Sequence, residues 1–340
     1  MRPISTLSLL LLLISGLVSC QTVSKEKVVI YSPHGKEMLS HFEKKFEEAY
    51  PQIDVVWLDM GSQSVFDRIR TEKDNPQADV WWGGPKELFV QAEALDLLEP
   101  YQPSWASALS PEFKSPTHKW YATHRTPEGI MYNKDLLSPE EVPKDWDDLL
   151  SEAWRGKIVI RDPVQSGTMQ TIFAAMIAKE EARTQSLDSG FYWLERLHAN
   201  TKSYAADPTQ LFLKLARGEG VITLWNFNDA LLQSKLNQFP FGFSMPESGT
   251  VFAVEGIAIV KGAKHLEHAK RFYEFVTSPE SLKEQAELFY RIPARDDLML
   301  DLPWLKSVSL KVLAVDVQKI ERNQRAWMKY WQEHIRPSTP

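Results

Sequence analysis

The feature that most limits what this chain can become is a repeated change of hydrophobic period between Lys27 and Leu95. Lys27 to Tyr31 (KVVIY) is a short β-branched run with the character of a buried strand. After Ser32-Pro33-His34-Gly35 the apolar positions become Met38, Leu39, Phe42 and Phe46, set among Glu and Lys at three- and four-residue steps. That spacing predicts an amphipathic helix, which Pro51 ends. Ile53 to Leu58 (IDVVWL) predicts the next strand, and Gly61-Ser62-Gln63-Ser64 opens a second helix running through Val65 to Lys73. Ala78 to Trp82 and Glu87 to Leu95 repeat the pair. Strands alternating with helices form a parallel sheet, because a parallel neighbour is reached only by a long crossover packed on the sheet face.

The middle of the chain returns to this pattern. Gly156 to Arg161 predicts a strand, and a Ser166-Gly167-Thr168 turn leads into an apolar helix, Thr168 to Glu181. Helices over Phe191 to Ala199 and Leu211 to Arg217 precede a strand at Val221 to Trp225. Phe252 to Val260 predicts another strand, followed by helices over His265 to Thr277 and Ser281 to Phe289, with Ser278-Pro279 as a natural start for the second. Leu302 to Ile335 reads as mainly helical. About 320 residues of such pattern exceed what one core comfortably holds, so two lobes are expected.

The first residues carry a different signal. Arg2 leads an apolar stretch from Leu9 to Val18 that ends at Leu17-Val18-Ser19-Cys20. A charged lead, a short apolar segment and small residues before a cut site describe a secretory signal peptide, and the run is too short to span a bilayer. Cys20 is the single cysteine of the chain. No intramolecular disulfide is open to it, and an odd thiol in an exported chain asks for an explanation. Without residues 1–19 the chain carries 38 basic and 45 acidic side chains, a net charge of −7. It has no basic stripe of the kind that binds nucleic acid, so no nucleic-acid partner is expected.

The order of these elements resembles the type II periplasmic binding proteins, the solute-binding components of ABC importers, and within them the ferric-iron and phosphorylated-solute branch. The resemblance is carried by Asn75-Pro76-Gln77-Ala78-Asp79-Val80-Trp81-Trp82-Gly83-Gly84, then Gly129 to Lys134 (GIMYNK), Trp146 to Leu150 (WDDLL), Arg155-Gly156-Lys157-Ile158 and Glu255 to Ala263 (EGIAIVKGA), in family order. Leu17 to Cys20 likewise resembles the bacterial lipobox, which implies cleavage before Cys20 and lipidation of it, with residues 20–26 as a tether. The family fold implies an α/β protein of two lobes, each a mixed, mostly parallel sheet flanked by helices, with the ligand closed between them. By that analogy lobe one holds 27–125 and 250–293, lobe two holds 126–249, and C-terminal helices from 294 to 340 pack on lobe two. Hinges are expected near Arg125 to Glu128 and Glu247 to Thr250. The implied protein is a monomeric, lipid-anchored, extracytoplasmic binding protein that hands a small molecule to ABC permease subunits.

Ligands of open α/β sheets sit beyond the carboxyl ends of the strands. That rule selects the loops bearing Ser32 and His34, Gly61, Ser62, Gln63 and Ser64, and Gly83 and Gly84 in lobe one. In lobe two it selects Ser166, Gly167 and Thr168, then Asn226, Asn228 and Asp229. Gly-Ser-Gln-Ser and Ser-Gly-Thr both open helices, whose unpaired N–H groups form an anion seat. Simple capping explains any one of these hydroxyls, whereas two such starts in facing lobes favour ligand contact. Trp82 and Trp225 are candidates for an aromatic wall, Arg125 for a bidentate anion clamp, and Glu255 and His34 for hydrogen bonds to ligand. The resemblance implies that ferric-binding relatives use adjacent tyrosines just after the strand matching Val221 to Trp225. Here that position reads Asn226-Phe227-Asn228-Asp229, which leaves iron as the second choice and expects no metal or cofactor. A small anionic solute, a phosphorylated sugar or phosphonate, is the first choice. Polyamines or thiamine, bound by neighbouring branches, call for more acidic side chains than Asp229 and Glu255. No hydrolase elbow, zinc-protease motif or P-loop occurs, so the chain is expected not to be an enzyme; a structural or adhesin lipoprotein is the reading from a different class.

Overall fold

The computed structural model of the chain describes residues 26–298, 303–306 and 310–336. The expected signal peptide and Cys20 lie outside the described residues. The strands are β1 (Glu26–Ser32), β2 (Ile53–Asp59), β3 (Val80–Pro85), β4 (Leu98–Glu99), β5 (Tyr121–Asn133), β6 (Ile158–Arg161), β7 (Thr201–Ala205), β8 (Ile222–Asn226), β9 (Phe241–Ser244) and β10 (Phe252–Val260). The α-helices are α1 (Lys36–Ala49), α2 (Ser62–Thr71), α3 (Lys86–Ala94), α4 (Gly167–Thr184), α5 (Leu187–Asn200), α6 (Pro208–Ala216), α7 (Phe227–Leu236), α8 (Leu266–Val276), α9 (Pro279–Phe289), α10 (Pro303–Lys306) and α11 (Val317–Tyr330).

The strands run in the order β2-β1-β3-β10-β5-β8-β6-β7, with β4 beside β10 and β9 beside β5. On one side β1 pairs in parallel with both β2 and β3; on the other β6 pairs in parallel with β7 and β8. The antiparallel strands β5 and β10 join these two halves. β5 belongs to both: Tyr121 to Pro127 pair with β10, and Glu128 to Tyr132 pair with β8. Pro127 has no N–H to give a ladder, and it falls where the strand leaves one partner for the other.

Each half has its own core. Val28, Ile30, Phe42, Phe46, Val80, Trp82, Phe272 and Tyr273 form one, where α1 and α8 cover the β1–β3 strands. The apolar stripe of α1 (Met38, Leu39, Phe42, Phe46) is the one its sequence spacing predicts, and all four are buried. The other core joins Ile158, Ile160, Phe173, Ile177, Leu194 and Leu224 to residues near the C-terminus, Ile320, Trp327, Met328, Trp331 and Ile335. α4 is buried on most of its circumference because α5 and α11 both lie against it. Gly190 permits the α4–α5 approach, since a Cβ there would lie 2.6 Å from the Ile177 Cα. Ser278 caps α9 by accepting from Ser281 N–H, with Pro279 in the first turn.

Candidate functional site

The carboxyl ends of the strands converge where the two halves meet. The N-termini of α2 and α4 face one another there. A Cβ on Gly167 would lie 2.8 Å from Pro85 Cδ and 3.1 Å from Ser62 Oγ, both belonging to the opposite half. A Cβ on Gly61 would lie 3.0 Å from the Gln165 carbonyl oxygen and 3.4 Å from Arg161 Nη2. Ser64 Oγ donates to Gln165 Oε1 at 3.2 Å, and Gln170 Nε2 to Gln63 Oε1 at 3.5 Å. The two expected helix starts, Gly61 to Ser64 and Ser166 to Thr168, are therefore brought together. Ser166 itself caps α4, its Oγ accepting from Met169 N–H at 3.3 Å. Gly83 and Gly84 have φ of +97° and +98°, which glycine alone adopts without strain. They let β3 turn under the His34 ring, whose Nε2 lies 2.6 Å from where a Gly83 Cβ would stand.

Behind this junction lies a buried polar cluster. His34 and His124 have ring centroids 5.8 Å apart, and Glu255 Oε2 lies 3.5 Å from His34 Nδ1 and 3.9 Å from His124 Nδ1. Thr126 Oγ1 donates to Glu255 Oε1 at 2.7 Å, and Arg291 Nη1 to the same oxygen at 3.2 Å. Arg291 Nη2 lies 3.9 Å from Asp229 Oδ1, in the other half. His124, Thr126 and Glu128 share one face of β5 by the two-residue alternation of a strand. Among the described residues, His34 Nε2 and both side-chain polar atoms of Asn228 are buried without a protein partner, while Glu128 and His124 are answered only weakly, by the Thr168 hydroxyl and by Gln285. Such groups are rare in folded proteins and mark places where something else supplies the partner.

Charge follows burial. The His34 imidazole is held well below its usual range by burial, then by Arg291 and His124. His124 is lowered to about 3, again by burial and then Arg291. Both rings are neutral at physiological pH. Burial raises the Glu128 carboxyl well above its usual range; Glu255 and Asp229 add to this, while Arg291 and the Thr168 hydroxyl oppose it. Asp59, at the end of β2, is raised by the protein packed around it although its side chain still reaches solvent, and further by Glu37 and Asp229. Arg161, at the end of β6, is 4% exposed with Nε unpartnered. Burial lowers its pKa, and Asp207 and Asp162 hold it up.

Some expected residues have other work. Trp82 was a candidate aromatic wall, but it is fully buried, edge-on to Phe42 and Phe272, because the core of its half needs the ring. It touches the site only through His34, 4.9 Å away centroid to centroid. Trp225 is also core, packed against Phe212 and donating Nε1–H to Asp229 Oδ2 at 2.9 Å. Arg125 lies over the Phe113 ring, centroid distance 5.8 Å, on the β5 face opposite His124 and Thr126, so it does not join the cluster. The guanidinium expected of it is supplied by Arg291. Ser32 accepts from His34 N–H at 3.1 Å and so orients that loop. Asn226 caps α7, accepting from Asp229 N–H at 2.9 Å and donating to Asp229 Oδ2 at 3.1 Å.

His124, Thr126, Glu128, Asp59, Arg161 and Arg291 escaped the sequence reading. The rule that would have found Asp59 and Arg161 is the strand-end rule itself, applied to the last residue of the strand rather than to the loop. Thr126-Pro127-Glu128-Gly129 reads as a break, and nothing local marks Arg291, which follows the left-handed Tyr290 at the end of α9.

His34, His124 and Glu255 each place one ligand atom within 4.8 Å of the others. As a seat for a ferric cargo ion this trio does not fit. A hard cation prefers anionic oxygen, whereas two donors are neutral imidazoles and the single carboxylate is held by Thr126 and Arg291. The guanidinium also repels a cation at that point.

The model of the bacterial extracellular solute-binding protein family matches residues 42–310. The chain belongs to that family. An uncharacterized protein of Haemophilus influenzae is 31% identical over 280 residues, covering 79% of this chain and 78% of its own. A Salmonella typhimurium protein named for 2-aminoethylphosphonate binding is 27% identical and is covered over 85% of both chains. The periplasmic binding protein AfuA of Actinobacillus pleuropneumoniae, solved with fructose-6-phosphate, superposes with a TM-score of 0.80 at 28% identity, over 93% of this chain and 100% of its own. The ferric binding protein of Campylobacter jejuni, 24% identical with a TM-score of 0.74, shares the fold. This chain is thus a two-lobed solute-binding protein of the ABC importer type. No described helix is long and apolar enough to cross a membrane.

Proposed function

We propose that this protein captures a small phosphorylated or phosphonate solute between its lobes and delivers it to an ABC permease. The observation that carries this reading is the meeting of two helix N-termini, α2 and α4, from facing lobes, with Gly61 against Arg161 and Gly167 against Ser62. Unpaired N–H groups and the positive helix ends favour an anion at such a junction, and a buried guanidinium adds to it. The site residues of this reading are Gly61 to Ser64, Gly167 and Thr168, with His34, Asn228, Asp229 and Glu255 of the expected set and Arg161, Arg291 and Glu128 in addition. The relatives named for a phosphonate and solved with a sugar phosphate support the same ligand class.

The lobes are assigned as 27–125 with 250–293 and 126–249, with the C-terminal helices on the second. The sharing of one core by α4, α5 and α11 supports that last placement. β5 and the Glu247 to Thr250 segment serve as hinges, and the protein acts as a monomer tethered to the membrane by lipid on Cys20. It performs no chemistry on its solute.

Thermal unfolding of residues 20–340, with Cys20 replaced by Ser, tests this against phosphate esters, phosphonates, ferric citrate, polyamines and thiamine. A true ligand at a hundred times its dissociation constant stabilises by about 2.7 kcal/mol. A phosphate ester or phosphonate is expected to produce that shift, and a shift with ferric citrate alone would refute the reading. Mass spectrometry of the full-length protein made in a bacterial host checks the lipid on Cys20.

A further inference from the structure

Beside the anion seat, α2 faces α11 across a cavity of 270 Å³. Gln63, Phe66 and Arg70 of α2 and Gln91 of α3 line one side; Gln170 of α4 and Gln324 of α11 line the other. None of Gly61, Ser62, Gly167 and Thr168 borders it. Gln165 adjoins both places, with Gly61 against its carbonyl and Ser64 Oγ donating to its Oε1. The volume stands just below the roughly 300–1,000 Å³ of ordinary small-molecule sites.

The floor is a chain of amides. Gln324 Nε2 donates to Gln170 Oε1 at 3.4 Å, and Gln170 Nε2 donates to the Val164 carbonyl at 3.1 Å and to Gln63 Oε1 at 3.5 Å. Gln324 is 3% exposed, yet its Oε1 accepts no hydrogen bond among the described residues. A buried acceptor left over at a cavity wall calls for a donor from an occupant. The rim is cationic and open to solvent. Arg70 is paired with Asp67 at 2.9 Å and Lys329 with Glu333 at 3.7 Å, whereas Arg325 has no ion-pair partner among the described residues.

The floor therefore asks for an N–H or O–H, and the rim for negative charge. We propose that this cavity is a second binding site, for a small organic acid that carries a hydroxyl or amino group beside its carboxylates. The donor reaches Gln324 Oε1 and a carboxylate meets Arg325, with Lys329 adding to the field. A bare inorganic anion fills too little of the cavity to reach both. Under the lobe assignment above the two walls belong to different lobes, so the site is complete only while the lobes are closed. Its occupant and the transported solute favour the same arrangement, and each raises the affinity of the other. The acid acts as an effector that holds the protein in its loaded shape. This inference rests on the lobe closure of the reading above and not on the chemistry of the solute.

Isothermal titration of residues 20–340 carrying Cys20→Ser, at pH 7.5, compares L-malate, L-aspartate and succinate. The three share one carbon frame and differ at a single carbon in bearing hydroxyl, amine or hydrogen; glycerol supplies hydroxyls without charge. Malate or aspartate should bind about tenfold more tightly than succinate, the worth of one hydrogen bond to a buried acceptor. Gln324→Met should reduce that preference to about twofold or less, because the acceptor is gone. Arg325→Gln should weaken the preferred acid about fivefold, its exposed guanidinium being partly screened. Thermal unfolding curves confirm that both variants are folded. Small-angle X-ray scattering should show the radius of gyration falling as the acid alone is added. Succinate binding as tightly as malate and aspartate would overturn the role of Gln324 and with it the ligand class. Glycerol binding while the acids do not would overturn the anion. No binding by any of the four, or binding that ignores both substitutions, overturns the site. Binding at an unchanged radius of gyration overturns the coupling to closure. No readout uses a phosphorylated solute, so this site can fail while the anion seat stands, and the seat can fail while this site stands.

Discussion

Gly167→Ala separates closure from folding. The three atoms nearest to a new Cβ all belong to the opposite lobe: Pro85 Cδ at 2.8 Å, Pro85 Cγ at 3.0 Å and Ser62 Oγ at 3.1 Å. Carbon atoms in good contact stand about 3.5–4.0 Å apart, so the methyl intrudes by roughly 0.7 Å on the proline ring. That ring cannot swing aside as a long side chain would, because Pro85 ends β3 and leads directly into α3. Overpacking of this kind costs about 1–3 kcal/mol. The cost falls on the closed arrangement alone, since separating the lobes removes the contact. Solute affinity should drop about 5- to 150-fold, at 1.4 kcal/mol for each factor of ten. The solute-free protein should be no less stable than wild type, because alanine is the better helix former. Titration calorimetry with 2-aminoethylphosphonate and scanning calorimetry without it measure the two effects. An affinity within twofold of wild type would refute the reasoning. So would an equal loss of stability in the free protein, which would mean that the lobes never part.

Glu128→Gln should stabilise the solute-free protein at pH 7.5 by about 1–3 kcal/mol, because it removes a fully buried carboxyl that desolvation and the nearby Glu255 and Asp229 disfavour in its charged form. Its folded pKa is raised, so the wild-type penalty grows as pH climbs above about 4.5, and the gain should vanish by pH 4 in urea titrations. His34 and His124 have the opposite sign. Their folded pKa values are depressed, so below about pH 6.5 the unfolded chain takes up protons that the native chain refuses, and stability should fall toward pH 3. A His124→Gln variant should flatten that limb of the pH profile; an unchanged slope would contradict it. Lys86 on α3 pairs with Glu321 on α11 at 2.6 Å, a contact that under the proposed lobe assignment ties one lobe to the other. Glu321→Gln should weaken solute binding by about fivefold, near 1 kcal/mol, through faster release in stopped-flow traces. Trp331, fully buried against Phe173 and Tyr204, anchors the C-terminal segment, and Trp331→Ala should cost about 3–5 kcal/mol in urea unfolding.

The elements that could be read directly are those whose pattern is local. Phe252 to Val260 is the strand expected, and α1 buries the four residues its spacing names. The α9 start follows Ser278-Pro279 as expected. β5 was missed because Pro127 and Gly129 look like breaks; they are tolerated because the strand changes partners there. β7, β9 and α7 were missed too, being short or only weakly amphipathic.

For the site, the sequence by itself determined which loops lie at strand ends and which of them open helices, because hydrophobic period and helix-start residues act over a few neighbours. The facing of Gly61 to Ser64 with Ser166 to Thr168 followed from that and from the two-lobed fold. It did not determine which side chains turn toward the junction. Trp82 and Trp225 went into the cores, and Arg125 to Phe113, while Arg291, distant in sequence, took the place beside Glu255. That choice was made by packing and desolvation. The lobe cores claimed the large rings, and residues more than a hundred positions apart came together as the burial that raises Glu128 and silences His34 and His124. Proton affinity at these positions is a property of what surrounds them, and only the folded chain supplies the surroundings.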